Sequence, residues 1–258
     1  MEYAIFAENL TKRFGDLTAV DGITLRIKKG EIFGLVGPNG AGKTTTVNLL
    51  AGLLRPTSGK VEILGMDIEG DNIEVKRLIG VMPEGLALYE QLTGEEYLHF
   101  VGRMYGMDGE EIAFRSEELL RFMGLEDFGG TYICEYSTGM KKKLSLASIF
   151  LHDPEVLLLD EPFEGIDPIS LRRIREVLKQ MRDRGATIFL TSHVLPAVEK
   201  VCTEVGIIHK GKLIFTSPTE QIRKRFEDRA DLEDVFLSLV VPEMGERGLP
   251  WLRDTKAG

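Results

Sequence analysis

The stretch Gly37-Pro38-Asn39-Gly40-Ala41-Gly42-Lys43-Thr44-Thr45 restricts this 258-residue chain more than any other. It matches G-x-x-x-x-G-K-[ST], follows a short apolar run from Ile32 to Val36, and leads into Val47-Asn48-Leu49-Leu50, the first turns of a predicted helix. Strand, glycine-rich loop and helix in that order form a phosphate-binding loop. Each residue type has a physical reason. Glycines let the backbone wrap a polyphosphate closely, with successive N–H groups pointing inward. The helix N-terminus adds a partial positive charge beside the anion. Lys43 can reach the β- and γ-phosphates, and the Thr44 hydroxyl can ligate Mg2+. A nucleoside triphosphate is therefore the expected ligand.

Downstream, Val156-Leu157-Leu158-Leu159 is wholly apolar and runs into Asp160-Glu161-Pro162. Such a run predicts a buried central strand of a parallel sheet, covered on both faces. Ligands of these sheets bind outside the carboxyl ends of the strands, which brings Asp160 and Glu161 to the phosphates. Asp160 is then placed to hold Mg2+, directly or through water, and Glu161 to polarise an attacking water. Two solvated acids at a strand end are the plainer alternative, and the nearby phosphate loop weighs against it. A third feature, Tyr136-Ser137-Thr138-Gly139-Met140, precedes Lys141-Lys142-Lys143-Leu144. This small-polar turn opening a helix is a second anion site, although alone it reads equally as an ordinary helix cap.

With these motifs in this order and spacing, the chain resembles the ATP-binding subunits of ABC transporters, whose signature is usually Leu-Ser-Gly-Gly-Gln. Tyr136, Thr138 and Met140 depart from that signature. Ser137 and Gly139 stand, supplying a hydroxyl and an unhindered backbone for a γ-phosphate. The resemblance runs from about residue 3 to 217 and implies roles for further positions. Gly165-Ile166-Asp167-Pro168 looks like the D-loop, Thr191-Ser192-His193 like the segment of the switch histidine, and Phe14 stands where the family stacks an aromatic on adenine.

An α/β fold is implied: a RecA-like P-loop NTPase core with an antiparallel β subdomain and a helical subdomain over about 86–150. ATP and Mg2+ are implied as well, with Lys43 and His193 on the γ-phosphate, Glu161 orienting water, and Thr44 and Asp160 on the metal. In the family the turn corresponding to Ser137–Gly139 lies far from its own phosphate loop. It therefore completes the site of a second copy, or of a homologous ATPase subunit, with Asp167 reaching across two sandwiched nucleotides. One departure bears on mechanism. Ile79-Gly80-Val81-Met82-Pro83-Glu84 takes the place of the Q-loop, with Glu84 where the family carries glutamine. A carboxylate is a hard oxygen ligand, so Glu84 is a candidate metal ligand and catalytic group. The alternative is that it points away, toward the transport partner.

Ile32-Phe33-Gly34-Leu35, the Tyr136-to-Lys141 form of the signature, and Leu232-Glu233-Asp234-Val235-Phe236-Leu237 resemble the ATPases of bacterial drug, lipid and sodium exporters. The resemblance implies an ATPase subunit on the cytoplasmic face of the membrane, driving export through a separate integral membrane permease. A soluble ABC-type ATPase acting on the ribosome or DNA is the alternative. A net charge of -9 and the lack of an internal repeat or sustained heptads weigh against a nucleic-acid partner. A simple P-loop kinase or GTPase has no use for Ser137–Gly139, and no Asn-Lys-x-Asp motif is present.

The hydrophobic content of 43% and charged content of 28% suit a globular enzyme, and no apolar run approaches the roughly twenty residues that cross a bilayer. Met1-Glu2-Tyr3, with an early acid and no basic stretch, is not expected to open a signal peptide. Cys134 and Cys202 have no metal-binding spacing and are expected to stay reduced. Residues 3 to 30 alternate as antiparallel strands do, and Lys60–Leu64 reads as another strand. Lys141-Lys142-Lys143 reads as a solvated helix face beside a phosphate site. Beyond Pro218, Leu232, Val235, Phe236 and Leu239 recur at helical spacing, with Asp231 as N-cap, and are expected to pack on the same domain. The polar tail from Glu243 to Gly258, with Trp251 as its anchor, is expected to be mobile.

Overall fold

In the computed structural model, residues 2–69, 72–225 and 232–240 are described. They build two sheets. In the first, β1 (Tyr3–Phe14) and β2 (Leu17–Lys28) form an antiparallel hairpin, and β1 also pairs with β4 (Ser58–Ile63), which continues to short β5 (Met66–Asp67). The second contains β3 (Ile32–Val36), β6 (Ile79–Met82), β7 (Val156–Leu159), β8 (Thr187–Ser192), β9 (Glu204–His209) and β10 (Lys212–Pro218). Their order is β10-β9-β3-β8-β7-β6, parallel throughout except for β10 at one edge.

Side chains alternate between the faces of a strand, so each parallel strand feeds two cores. Val156 and Leu158 of β7, Phe189 of β8, and Phe33 and Leu35 of β3 join one core, beneath the antiparallel sheet and α1 (Lys43–Leu50). Leu157, Leu159, Ile188, Leu190, Ile32 and Val36 join the other, against α5 (Thr138–Leu151), α6 (Pro168–Asp183) and α7 (Leu195–Val201). Burial on both faces explains why these runs are continuously apolar. Each such side chain contributes about 1.5–3 kcal/mol on burial. Phe33 and Phe189 stack at 5.7 Å in the first core. On the opposite face Gly34 lets α7 approach, since a Cβ there would lie 2.7 Å from Val198 Cγ1 and 2.8 Å from Cys202 Sγ.

Between β6 and β7 the chain is helical. Residues α3 (Gly94–Met104), α4 (Gly109–Met123) and α5 pack together, and the only pairing of extended backbone among the described residues here is one bridge, Thr93 to Tyr132. Local signals set the limits. Thr93 and Glu96 form a reciprocal capping box at the start of α3, and Asp108 caps α4. Gly124, at φ 65°, stops α4 in the left-handed conformation that glycine adopts without strain. Asp167 and Pro168 open α6, and Gly185 follows its end at φ 102°.

Two helices were not anticipated: α2 (Ile73–Leu78), and α8 (Thr219–Arg225) just past the boundary placed at residue 217. The chain does not leave the core at Pro218. Thr219 donates from its backbone to Thr203 O (2.9 Å) and from its hydroxyl to Cys202 O (2.8 Å), and Ile222 is buried. The final described helix, α9 (Leu232–Val240), lies on α7 with Leu232, Val235 and Val240 buried, whereas Leu239 is exposed. Positions i+7 and i+8 flank the same helical stripe, and this crossing uses the second. Asp231 as a cap, and the tail from 243 to 258, lie outside the described residues. Leu98, fully buried among the helices, should cost about 2–5 kcal/mol on replacement by alanine, read as a lowered urea midpoint with the slope unchanged.

Candidate active site

The loop between β3 and α1 folds as its glycines require. Gly42 stands at φ 108° as the N-cap of α1, and a Cβ there would lie 2.3 Å from Ala19 O. At Gly37 a Cβ would lie 2.4 Å from Ile208 O. The loop is thus pressed onto β2 and β9, and its shape is held by tertiary packing as well as by local sequence. Lys43 Nζ curls back to donate to Gly37 O (2.9 Å) and Pro38 O (3.4 Å). Ala41 is buried.

Asn39, Gly40, Gly42, Lys43, Thr44 and Thr45 line a cleft of about 840 Å3. Phe14, half exposed, borders it with Leu17 and Ala19, and Lys12 Nζ lies 5.1 Å from the centre of the Phe14 ring. Glu84, Glu161, Glu164 and His193 also line the cleft, so carboxylates share it with the phosphate loop.

Behind these acids sits Asp160, 1% exposed. Its Oδ1 accepts from the Thr191 hydroxyl, and its Oδ2 has no hydrogen-bond partner. Burial raises the Asp160 pKa, an effect partly offset by the hydroxyls of Thr191 and Thr44. Thr44 itself donates to Glu84 Oε2 (3.3 Å), so Glu84 faces into the cleft. An orphaned buried oxygen is costly, and this one shares its surroundings with a hydroxyl and further carboxylates. Hard oxygen donors of this kind suit Mg2+. Among the described residues no three His, Cys, Asp or Glu side chains converge to cage a metal alone. The set fits a cation that completes its shell with phosphate and water.

Glu161 is a strained residue of the site, as is Lys210 at φ 48°. Glu161 adopts φ 47°, a left-handed conformation that costs a non-glycine residue ~1–2 kcal/mol. Its N–H donates to Thr191 Oγ1 (3.0 Å), so one hydroxyl anchors both acids. Oε1 lies 3.5 Å from Lys43 Nζ; Oε2 lies 2.9 Å from His193 Nδ1 and accepts from His193 N (3.2 Å).

Ser137, Gly139 and Asp167 do not line this cleft. Ser137 caps α5, accepting from Met140 N (3.3 Å), and a Cβ on Gly139 would lie 3.1 Å from Gly165 O. The adjoining lysines are not the solvated face expected of them. Lys141 pairs with Glu90, Lys142 donates to Glu164 O (2.9 Å), and Lys143 meets Asp167 Oδ2 at 2.8 Å. Three cations near the N-terminal end of α5 oppose the helix dipole, and carboxylates from the segment before α3 and the β7–α6 connection compensate. Burial lowers the Lys142 pKa, whereas the hydrogen bond from Lys143 and the Ser170 N–H depress that of Asp167.

Thr191 and the Lys210-Gly211 turn are site residues that sequence reasoning did not single out. Gly211 bonds to Asp21 N and Ala41 O across the sheets, a long-range contact without a local signal. Thr191 lay within a quoted motif, and its position at the end of an apolar run beside a buried acid was the available clue.

A family model described as ABC transporter matches residues 20–164. The chain belongs to the ABC transporter family. It is 42% identical to the linearmycin resistance ATP-binding protein LnrL of Bacillus subtilis, over 96% of this chain and 78% of that protein. A solved ATP-binding subunit of an ABC transporter aligns at a TM-score of 0.84 and 31% identity, covering 92% of this chain and 99% of that one. A dimeric ATP-binding cassette in a post-hydrolysis state, bound to ADP and Pi, aligns at 0.76 and 25% identity over 83% of this chain and 98% of that one. This ABC subunit binds and hydrolyses ATP, and the alternative of a ribosome- or DNA-acting ATPase is not favoured.

The depressed Asp167 carboxyl has a testable sign. A folded-state pKa below the ordinary 3.8 stabilises the protein above that value, and the contribution fades as pH falls below it. Asp167→Asn should therefore lower the urea midpoint at pH 7, with the deficit shrinking at pH values below 3.8.

Proposed function

We propose that this ABC ATPase powers export through a separate membrane permease by closing head to tail on a second copy, or on a homologous subunit, around two ATP molecules. The observation that carries the reading is a division of parts. The cleft holds the phosphate loop, Glu161, His193 and Glu84, whereas the capped turn Ser137–Gly139 and Asp167 lie outside it. A helix N-terminus that carries a hydroxyl at its cap suits a phosphate supplied by another subunit. The dimeric, ADP- and Pi-bound relative supports the arrangement, and the resistance activity in LnrL's name favours outward movement. Among the described residues no helix is long and apolar enough to cross a membrane, which agrees with a permease on a separate chain.

The residues divide the chemistry as follows. Phe14 offers its ring face to adenine. Successive N–H groups from Gly37 to Thr45 and the α1 N-terminus receive the phosphates, with Lys43 turning from the Gly37 carbonyl and Glu161 toward them. Freed from Lys43, Glu161 orients the attacking water and takes its proton, while His193 holds the γ-phosphate. Thr44, Asp160 and Glu84 would hold Mg2+, which when bound neutralises phosphate charge. Ser137, Gly139 and Asp167 act on the nucleotide of the other subunit. ATP then makes contacts in the closed state that are lost after hydrolysis, and that difference drives the motion.

Two variants test these roles. Glu161→Gln should bind Mg·ATP, hydrolyse it at least about a hundredfold more slowly, and accumulate as a dimer in size-exclusion chromatography. Retained wild-type turnover removes Glu161 from the catalytic role. Glu84→Gln should leave nucleotide affinity intact and shift the Mg2+ titration of turnover, and an unchanged titration removes Glu84 from the metal.

A further inference from the structure

Lys142 occupies an unusual position for a surface-helix lysine. It lies in the second turn of α5, the helix that Ser137 caps, yet its side chain is only 13% exposed. The ammonium donates to Glu164 O at 2.9 Å and lies 4.0 Å from Glu164 Oε2. Glu164 lines the nucleotide cleft, and the charges of Glu161, Asp160 and Glu84 also act on Lys142. Four carboxylates at this edge thus lie near Lys43 from the phosphate loop and Lys142 from the signature helix, and Lys210 lines the same cleft. Lys142 is the one attached to the turn that serves the other subunit.

We propose that Lys142 is a positioning residue: it lends a fixed positive charge to the carboxylate edge of the cleft, and its hold on Glu164 couples occupancy of that edge to the setting of Ser137–Gly139. The inference rests on the nucleotide-binding reading of the cleft. In the nucleotide-free subunit Lys142 partly neutralises Asp160, Glu161, Glu84 and Glu164 and restrains the N-terminal end of α5. With a divalent cation and nucleotide at the edge, Lys142 is attracted less strongly and its tether to Glu164 slackens. The turn is then released toward a second copy. Lys141–Glu90 and Lys143–Asp167 fix the flanks of the same turn without facing the cleft, which leaves Lys142 as the link.

The test uses the full chain, a fluorescent non-hydrolysable ATP analogue and no turnover. Lys142→Met keeps the aliphatic stem and removes the charge. Its expected effect is opposed: weaker analogue binding in EDTA, and a lower Mg2+ concentration for half-maximal binding, each by about three- to tenfold for one partly screened charge. Amide exchange across residues 137–141 should also quicken in the nucleotide-free variant. Lys142→Arg should restore all three readouts. A Mg2+ requirement within about twofold of wild type, or unchanged exchange, overturns the inference. A wild-type chain that binds no analogue at any Mg2+ concentration overturns the reading of the cleft instead, and the inference with it. If Lys142→Met does not fold, judged by circular dichroism, Lys142→Gln carries the same test.

Discussion

The parallel register of β3, β8, β7 and β6 is the constraint on which the site depends. Val36 pairs with Ser192, Leu190 with Leu159, and Leu159 with Met82, so the four strands end within two residues of one another. Whatever follows each strand must emerge at the same edge: the phosphate loop after β3, His193 after β8, Asp160 after β7, and Glu84 just beyond β6. Asp160 N continues the ladder by donating to Met82 O at 2.8 Å, which fixes the acid before its side chain makes any contact. The two cores supply the rigidity. A strand buried on both faces cannot slip without sending its whole apolar set to the wrong side.

That edge concentrates negative charge, and the structure manages it with few groups. Lys43 is occupied by carbonyls of its own loop and by Glu161, Thr191 serves Asp160 and the Glu161 backbone together, and Glu84 takes the Thr44 hydroxyl. In the proposed binding mode phosphate and a hard cation replace these contacts, exchanging one set of partners for another. The buried Oδ2 of Asp160 is the exception, with no partner to lose. Strain at Glu161 belongs to the same economy of space, since its left-handed backbone turns one carboxylate to both Lys43 and His193.

Features held within a few residues were legible in advance. The positive φ of Gly40 and Gly42, the capping pair Thr93 and Glu96, and the stop at Gly124 act through local backbone conformation and hydrogen bonds, which a sequence displays directly, whereas the close approach of Ile208 O to Gly37 and of Ala19 O to Gly42 is tertiary. The lysine run was misread for the opposite reason. Glu90, Glu164 and Asp167 lie 51, 22 and 24 residues along the chain from Lys141, Lys142 and Lys143, so charge compensation there is invisible until the loops are folded together. The Lys210-Gly211 turn escaped notice similarly, because its contacts with Asp21 and Ala41 cross from one sheet to the other.

The sequence by itself determined that a glycine-rich loop joins a strand to a helix, that two acids end a buried strand, and that a small-polar turn opens a second helix. Those properties follow from backbone freedom, hydrogen-bonding capacity and periodicity, all of which are local. Only the tertiary structure decided that Glu84 faces the cleft, that Thr191 anchors both acids, and that Ser137, Gly139 and Asp167 stand outside it. Strand order and register carry that information, because they decide which distant carboxylates, hydroxyls and ammonium groups share one low-dielectric edge.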